Sequence, residues 1–132
     1  MCVSLFPLIL PGLEPAIARR LVEAHLLNPA EFWLPYPVPS VAACEPSFDP
    51  DFSGGVIWRG STWVNVNWYL YWGLRRHGYA EPARARAERT VEMVARGGLR
   101  ECFNPYTAEG QAAPDFGWTT LVLDLIAAEA LR

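Results

Sequence analysis

Apolar residues recur at helical spacing in four stretches of the chain, each bounded by residues that begin or end helices. The predicted helices are Glu14–Leu27, Ser61–His77, Pro82–Arg96 and Phe116–Leu131. Pro15 suits a first helical turn, where a missing N–H costs little, and Asn28-Pro29 and Gly78 suit helix ends. No two segments alternate as a convincing pair of strands would. The pattern therefore predicts an all-α chain.

The second predicted helix differs from the other three. It is apolar nearly all round until Arg75-Arg76, as in a helix that is buried on every side, whereas the third and fourth have one apolar stripe. An inner helix wrapped by amphipathic outer helices is the layering of an α/α toroid, which needs more helices than this chain has. The inner helix would expose a large apolar surface in a monomer, so we expect a homo-oligomer.

A long proline-rich stretch, Phe32–Gly55, separates the first two helices. It holds five prolines, at positions 35, 37, 39, 46 and 50. It also carries the aromatic residues Phe32, Trp33, Tyr36, Phe48 and Phe52. An irregular segment this long is either functional or a linker, and the aromatic content favours a functional loop.

Composition and charge exclude several classes of protein. The chain has 132 residues and a net charge of -3, which argues against nucleic-acid binding through a broad basic face. No apolar run is long enough for a membrane span. Three cysteines and two histidines show no metal-ligand spacing, and there is no phosphate-binding glycine loop, so no metal and no cofactor are expected. The apolar start, Met1–Leu10, lacks the basic residues and cleavage site of a signal peptide, which predicts a cytoplasmic protein.

The first candidate site lies around the start of the second predicted helix. Trp58, Arg59, Trp63, Asn65 and Asn67 fall within ten residues there. Indole faces stack on sugar rings, amides both donate and accept hydrogen bonds, and a guanidinium can clamp a carboxylate. The alternative is structural: the tryptophans belong to the core and the two amides satisfy neighbouring backbone groups.

The second candidate site is the link between the third and fourth helices. Glu101 stands among the apolar neighbours Leu99 and Cys102-Phe103, and a carboxylate in such surroundings is often paired or functional. The alternative is an ordinary surface or salt-bridged residue. Cys102 is predicted to be a buried thiol, and Asp115 is a candidate N-cap of the last helix.

Four motifs together resemble the C-terminal part of glycoside hydrolase family 63, in particular its bacterial mannosylglycerate and glucosylglycerate hydrolases. The resemblance runs in the same order over nearly all 132 residues. The motifs are Glu31–Ser40, then Trp58-Arg59-Gly60 with Trp63, Asn65, Asn67 and Trp68, then Glu101-x-Phe103-Asn104-Pro105-x-Thr107-x-Glu109-Gly110, then Asp115–Thr119.

The resemblance implies that residues 1–132 are the C-terminal part of an (α/α)6 barrel of an inverting α-glycosidase. Its substrate would be a small saccharide such as a glycosylglycerate. Glu101 would be the general base, and Trp58 and Trp63 would line the sugar subsite. Arg59 and Asn67 would help to shape the pocket. Tyr36 and Asp115 are further candidates for substrate contact.

The general acid that the resemblance implies, an Asp well upstream, has no match in this chain. Inversion needs both carboxyl groups, one to protonate the leaving oxygen and one to activate water. A separate chain, an upstream portion or another protomer would therefore have to supply the acid. The chain alone is then expected to lack the general acid and to be inactive.

The chain departs from the family pattern at three places. Ser61-Thr62 stands where the family often has Pro and a small residue, Ile57 where an aromatic is common, and Ala108 where Gly is usual. The changes put in doubt the start of the inner helix, one subsite contact and the turn after Glu101. A non-catalytic saccharide-binding or assembly module is the alternative function, and a remnant that survives only through oligomer contacts is a third.

Overall fold

The structure, a computed structural model, describes residues 1–130 and is mainly helical. Its helices are a 3-10 helix Cys2–Ile9, α1 (Pro15–Arg20) continuing into a π-helix Leu21–Leu26, α2 (Val64–Arg76), α3 (Ala80–Gly97), a 3-10 helix Gly117–Leu121, and α4 (Val122–Ala130). Two strands, β1 (Arg100–Phe103) and β2 (Gly110–Pro114), form an antiparallel hairpin.

All four predicted helices are present, with shifted ends. The second begins at Val64 rather than Ser61 because the residues before it are extended. Thr62 exchanges two backbone hydrogen bonds with Phe103, at 2.8 and 2.9 Å, which holds this segment beside β1. The fourth helix starts as a 3-10 turn, and Leu131, its predicted end, lies outside the described residues.

The hairpin β1–β2 corrects the expectation that the chain has no strand pair. Arg100 pairs with Pro114 and Cys102 with Gln111, so the one residue between them on β1 opposes two residues of β2 at a β-bulge. Strands of four and five residues are too short to show a clear alternating pattern. Their pairing depends on the turn between them and on the contact of β1 with Thr62.

Helix α2 is the centre of the core, as its apolar sequence predicts. The N-terminal 3-10 helix, α3 and α4 all pack on it. Most of α2 is buried, with Val64, Val66, Leu70, Tyr71 and Leu74 at 2% exposure or less. On the same helix Tyr69 is 42% exposed and Trp68 and Trp72 are partly exposed, so α2 also presents some aromatic surface. The predicted homo-oligomer stays a prediction.

The proline-rich stretch folds as part of the core. Leu34, Tyr36, Val38 and Val41 are buried. Its backbone is hydrogen-bonded to the segment before α2, through Ser40 N–H and Ser61 O at 2.9 Å. The stretch is therefore a packed part of the molecule and not a linker, and a function for it stays a prediction. Within residues 1–130, no helix is both long and apolar enough to cross a membrane.

Candidate functional site

An aromatic cluster of Trp58, Trp63, Phe116 and Trp118 lies where the segment before α2 meets the segment before α4. Trp58 and Trp63 stack in parallel, with ring centroids 3.9 Å apart and an interplanar angle of 3°. Trp63 also contacts Trp118 at 6.0 Å, and Phe116 meets Trp118 edge-on at 5.4 Å. The aromatic cluster therefore joins two parts of the chain that are far apart in sequence.

Only some members of the aromatic cluster present a surface. Trp118 is 48% exposed and Trp58 is partly exposed, whereas Trp63 is 1% exposed. Trp63 therefore stacks on one face of Trp58 and has no solvent-exposed face itself. This corrects the expectation that Trp63 lines a sugar subsite directly. Phe116 is partly exposed as well, so Trp58, Phe116 and Trp118 are the rings on which a flat apolar surface could lie.

Strand β1 is attached to both segments of the aromatic cluster. Phe103 pairs with Thr62, the residue before Trp63. Just before the other end of β1, the amide of Phe116 donates to the carbonyl of Leu99 at 3.1 Å. Since Glu101 lies between these two attachments, the fold brings its strand to the aromatic cluster although 38 positions separate it from Trp63 in the sequence.

The Glu101 side chain is half-buried and reaches across the hairpin. Its Oε2 accepts a hydrogen bond from the amide of Ala113 at 3.2 Å. This amide lies in the bulge of β2, where Ala112 takes a left-handed backbone conformation with φ of 58°. The bond engages one carboxylate oxygen and leaves Oε1 outside it.

Asn104, the amide of the Glu-x-Phe-Asn-Pro motif, fastens the proline-rich stretch to the hairpin. Its Oδ1 accepts two backbone amide hydrogens of the turn. Its Nδ2 donates to Pro50 O at 3.2 Å and to Asp51 Oδ1 at 2.9 Å. Gln111 adds a bond from its Nε2 to the same carbonyl of Pro50, at 2.7 Å. Nothing in the sequence indicates this role of Gln111, because its partner Pro50 lies 61 positions away.

Asn67 is placed in the core and not in a pocket. It is fully buried, and its Oδ1 accepts from the amide of Val38 at 2.9 Å and from Arg86 Nη1 at 3.1 Å. Its Nδ2 donates to Thr90 Oγ1 at 3.1 Å. These bonds correct the expectation that Asn67 shapes a sugar pocket, since its donor and acceptor atoms are engaged inside the molecule. Asn67 therefore agrees with the structural alternative, in which the amide satisfies neighbouring groups of the fold.

The buried Arg86 explains why an amide is needed at this point. Its side chain is fully buried, and burial together with the nearby charge of Arg89 lowers its pKa to about 9. The guanidinium also lies over the ring of Trp33, 5.4 Å from the centroid. Asn67 Oδ1 is thus an acceptor for a cation that is cut off from water.

The Tyr36 side chain is bonded to helix α3. Its hydroxyl donates to Glu92 Oε1 at 2.9 Å and accepts from Arg96, both on α3. Its amide donates to Pro105 O at 2.8 Å. Tyr36 links the proline-rich stretch to α3, and its contact with substrate stays a prediction.

Arg59 and Asp115 are both exposed. Arg59 lies close to Asp49. Hydrogen bonds from the Gly54 amide and the Ser53 hydroxyl, with a smaller pull from Arg59, lower the pKa of Asp49 below its ordinary value.

Asp115 takes a left-handed conformation with φ of 54°. The helix cap is Phe116, and no side chain caps this helix. The N-cap prediction for Asp115 is therefore wrong.

Two of the departures from the family pattern take defined positions in the fold. Ala108 adopts a positive φ of 63°, a conformation that a glycine takes more easily than an alanine. Ser61 Oγ donates to Gln111 Oε1 at 2.8 Å.

Burial raises the pKa of the neighbouring Cys102 thiol, which argues against a nucleophilic role and agrees with the predicted buried thiol.

A second aromatic surface lies along the other half of α2. An open cleft of about 560 Å³ is lined there by Ile9, Trp68, Trp72, Arg75 and Arg76. The indole N–H groups of Trp68 and Trp72 both point to Asp124 Oδ2, at 2.6 and 3.4 Å. Trp68 thus belongs to a surface other than the aromatic cluster. Residues 1–130 contain no group of three or more His, Cys, Asp or Glu placed to hold a metal ion.

Known proteins match this chain both in sequence and in structure. Residues 1–119 match the family described as "Mannosylglycerate hydrolase MGH1-like glycoside hydrolase domain". A mannosylglycerate hydrolase of Rubrobacter radiotolerans is 41% identical over 76 residues, which cover 57% of this chain and 17% of that protein. A mannosylglycerate hydrolase of Thermus thermophilus is 35% identical over 97 residues, covering 71% of this chain and 22% of that protein.

Solved structures show the same relation. The crystal structure of a family 63 mannosylglycerate hydrolase from Thermus thermophilus in complex with glucose superposes with a TM-score of 0.81 and 29% identity, covering 96% of this chain and 30% of that one. The same enzyme in complex with Tris and D-glycerate gives 0.79 and 30% identity, covering 96% and 29%. The chain thus spans less than a third of the proteins it matches, and its helices are those of the C-terminal portion of a family 63 (α/α)6 barrel. It belongs to the family of MGH1-like glycoside hydrolase domains.

Proposed function

We propose that this chain is the part of an inverting α-glycosidase that carries the general base, and that Glu101 is that base. The observation that carries the proposal is the position of Glu101: it lies on a strand attached at both ends to the aromatic cluster, with one oxygen held by the Ala113 amide. A half-buried carboxylate with one fixed oxygen can take a proton from water with the other.

The proposed substrate is a small α-glycoside of the mannosylglycerate type. Trp58 and Trp118 supply the faces on which a sugar ring would lie, and Trp63 keeps Trp58 in place. Arg59 is an exposed cation near this surface in sequence and is the candidate partner for a glycerate carboxylate. The general acid would come from the rest of the barrel, since inversion uses two carboxyl groups roughly 6.5–9.5 Å apart.

The test is a chimera in which this chain replaces the matching third of the Thermus thermophilus enzyme. Hydrolysis of mannosylglycerate is expected in the chimera and not in the 132-residue chain alone. Glu101→Gln in the chimera should lower kcat by about a hundredfold or more, the range of a lost general base. Glu88→Gln is the control, because Glu88 is an exposed carboxylate of α3 outside the motifs that resemble the family. Full activity of the Glu101→Gln chimera would refute the proposal.

A second function, saccharide binding without catalysis, is favoured by the exposure of Trp118 at 48%. It requires only the aromatic cluster. Titrating the isolated chain with mannosylglycerate and following tryptophan fluorescence distinguishes the two. Binding by the isolated chain, together with a chimera that is inactive although folded, would favour the binding module over the enzyme.

A further inference from the structure

Arg100, the residue before the proposed base, places its guanidinium on the same hairpin. Its Nη2 donates to the carbonyl of Ala112 at 2.6 Å. The next amide along the chain, that of Ala113, donates to Glu101 Oε2. A single peptide group, Ala112–Ala113, therefore accepts from a cation through its oxygen and donates to an anion through its nitrogen.

Three features show that this arrangement is built into the hairpin. The bulge in β2 and the positive φ of Ala112 turn the peptide out of the regular ladder. Gly110 leaves the space through which the Arg100 side chain passes, since a Cβ at Gly110 would meet that side chain. In the described part of the chain, no ion pair joins Arg100 to a carboxylate. The carbonyl of Ala112 is therefore where the guanidinium acts.

We propose that Arg100 is a positioning residue for Glu101 and acts through the Ala112–Ala113 peptide. This role rests on the proposed function of Glu101 as the base. Hydrogen bonds in a chain polarise one another, so a guanidinium on the carbonyl strengthens the N–H of the same peptide as a donor. The charge-assisted bond to Oε2 then fixes the plane of the carboxylate and directs Oε1 toward the water that is to be deprotonated.

The test uses amide and guanidinium NMR signals of the 132-residue chain. Glu101→Gln replaces an anionic acceptor by a neutral one, so the Ala113 amide proton should shift upfield. Its hydrogen exchange should become roughly three- to tenfold faster, the factor for the difference between a charge-assisted and a neutral hydrogen bond. Arg100→Met should move the Ala113 signal in the same direction, although Arg100 does not touch that N–H. Arg100→Lys, which keeps a donor, should restore part of the shift.

Two further measurements distinguish this positioning role from a purely structural role of Arg100 in the hairpin. The amide of Phe103 bonds to Thr62 and should keep its exchange rate in Arg100→Met. The Arg100 guanidinium signal should shift in Glu101→Gln, which requires no Arg100 variant to fold. Arg76→Met, at the exposed end of α2, is the control and should change neither signal.

An Ala113 signal that stays in place in Arg100→Met, or an Arg100 signal that does not respond to Glu101→Gln, would overturn the role of Arg100. So would equal loss of protection at Phe103 and Ala113. These results are independent of hydrolysis. If the Glu101→Gln chimera keeps its activity while the NMR coupling is present, the proposed base is wrong and the coupling stands.

Discussion

Replacing Asn67 by alanine should destabilise the fold severely. The substitution removes the acceptor of the Val38 amide and of Arg86 Nη1, both within the core. Each buried group left without a partner costs about 1–3 kcal/mol, and more when it is charged. Arg86 already has its Nε and Nη2 without partners among the described hydrogen bonds, so no other acceptor is at hand. The expected loss is about 3–5 kcal/mol, a large part of the roughly 5–15 kcal/mol of a typical domain.

The assay is urea unfolding followed by circular dichroism, with Asn65→Ala as the matched control. Asn65 lies on the same helix two positions earlier, is only half-buried, and has a buried Oδ1 without a partner. Its replacement should change the free energy of unfolding by less than about 1 kcal/mol. Asn67→Asp keeps the oxygen acceptor, loses the Nδ2 donor to Thr90 Oγ1 and adds a negative charge beside Arg86, so it should cost less than Asn67→Ala.

The reasoning would be refuted if Asn67→Ala and Asn65→Ala were equally stable. It would also be refuted if Asn67→Ala kept wild-type stability and lost only saccharide binding. Either result would return Asn67 to the role of a pocket residue, because a network of three buried hydrogen bonds cannot be removed without effect on unfolding.

Three further predictions follow from the packing and the titrating groups. Gly110→Ala should destabilise the hairpin by about 2 kcal/mol or more in thermal unfolding, because its Cβ would lie 2.5 Å from Gly97 O; unchanged stability would contradict this packing. Burial raises the pKa of Cys2 from 9.0 to about 11, so the native state keeps a proton that the unfolded chain releases. Stability should therefore fall between pH 9 and 11, and Cys2→Ala should flatten that fall in unfolding curves. Trp63→Ala should cost about 3–5 kcal/mol, whereas Trp58→Ala should cost less in unfolding and mainly weaken saccharide binding; the reverse order would show that Trp63 is the exposed ring.

The helices could be predicted from the sequence because their signals are local. Apolar spacing and the residues at the ends located α2 and α3 to within three positions, and located α1 and α4 when each is taken together with the π-helix or 3-10 helix that adjoins it. The hairpin could not be predicted in the same way. Its first strand begins with two charged residues, and its partners are β2 and the distant Thr62. A strand of four residues becomes a strand only when such partners are present.

Site residues whose chemistry follows from their residue type could be predicted from the sequence. Site residues whose role depends on their neighbours in the folded structure could not. Glu101 and the tryptophans stand out in the sequence as a carboxylate and large aromatic groups. Arg100 does not, because nothing in the sequence shows that its guanidinium meets the carbonyl of Ala112 twelve positions later. The sequence likewise does not show that Trp58 is the more exposed of the two stacked rings, since exposure depends on which ring the rest of the chain covers.

The sequence alone determined the helical class and the buried character of α2, which follow from residue type and spacing within a short window. The candidate base, Glu101, was implied by the resemblance to family 63. The tertiary structure alone decided that Asn67 and Tyr36 are engaged internally while Trp58 and Trp118 remain accessible. The reason is that a hydrogen bond depends on the partner the fold supplies, which lies 29 positions away for Asn67 and 56 for Tyr36.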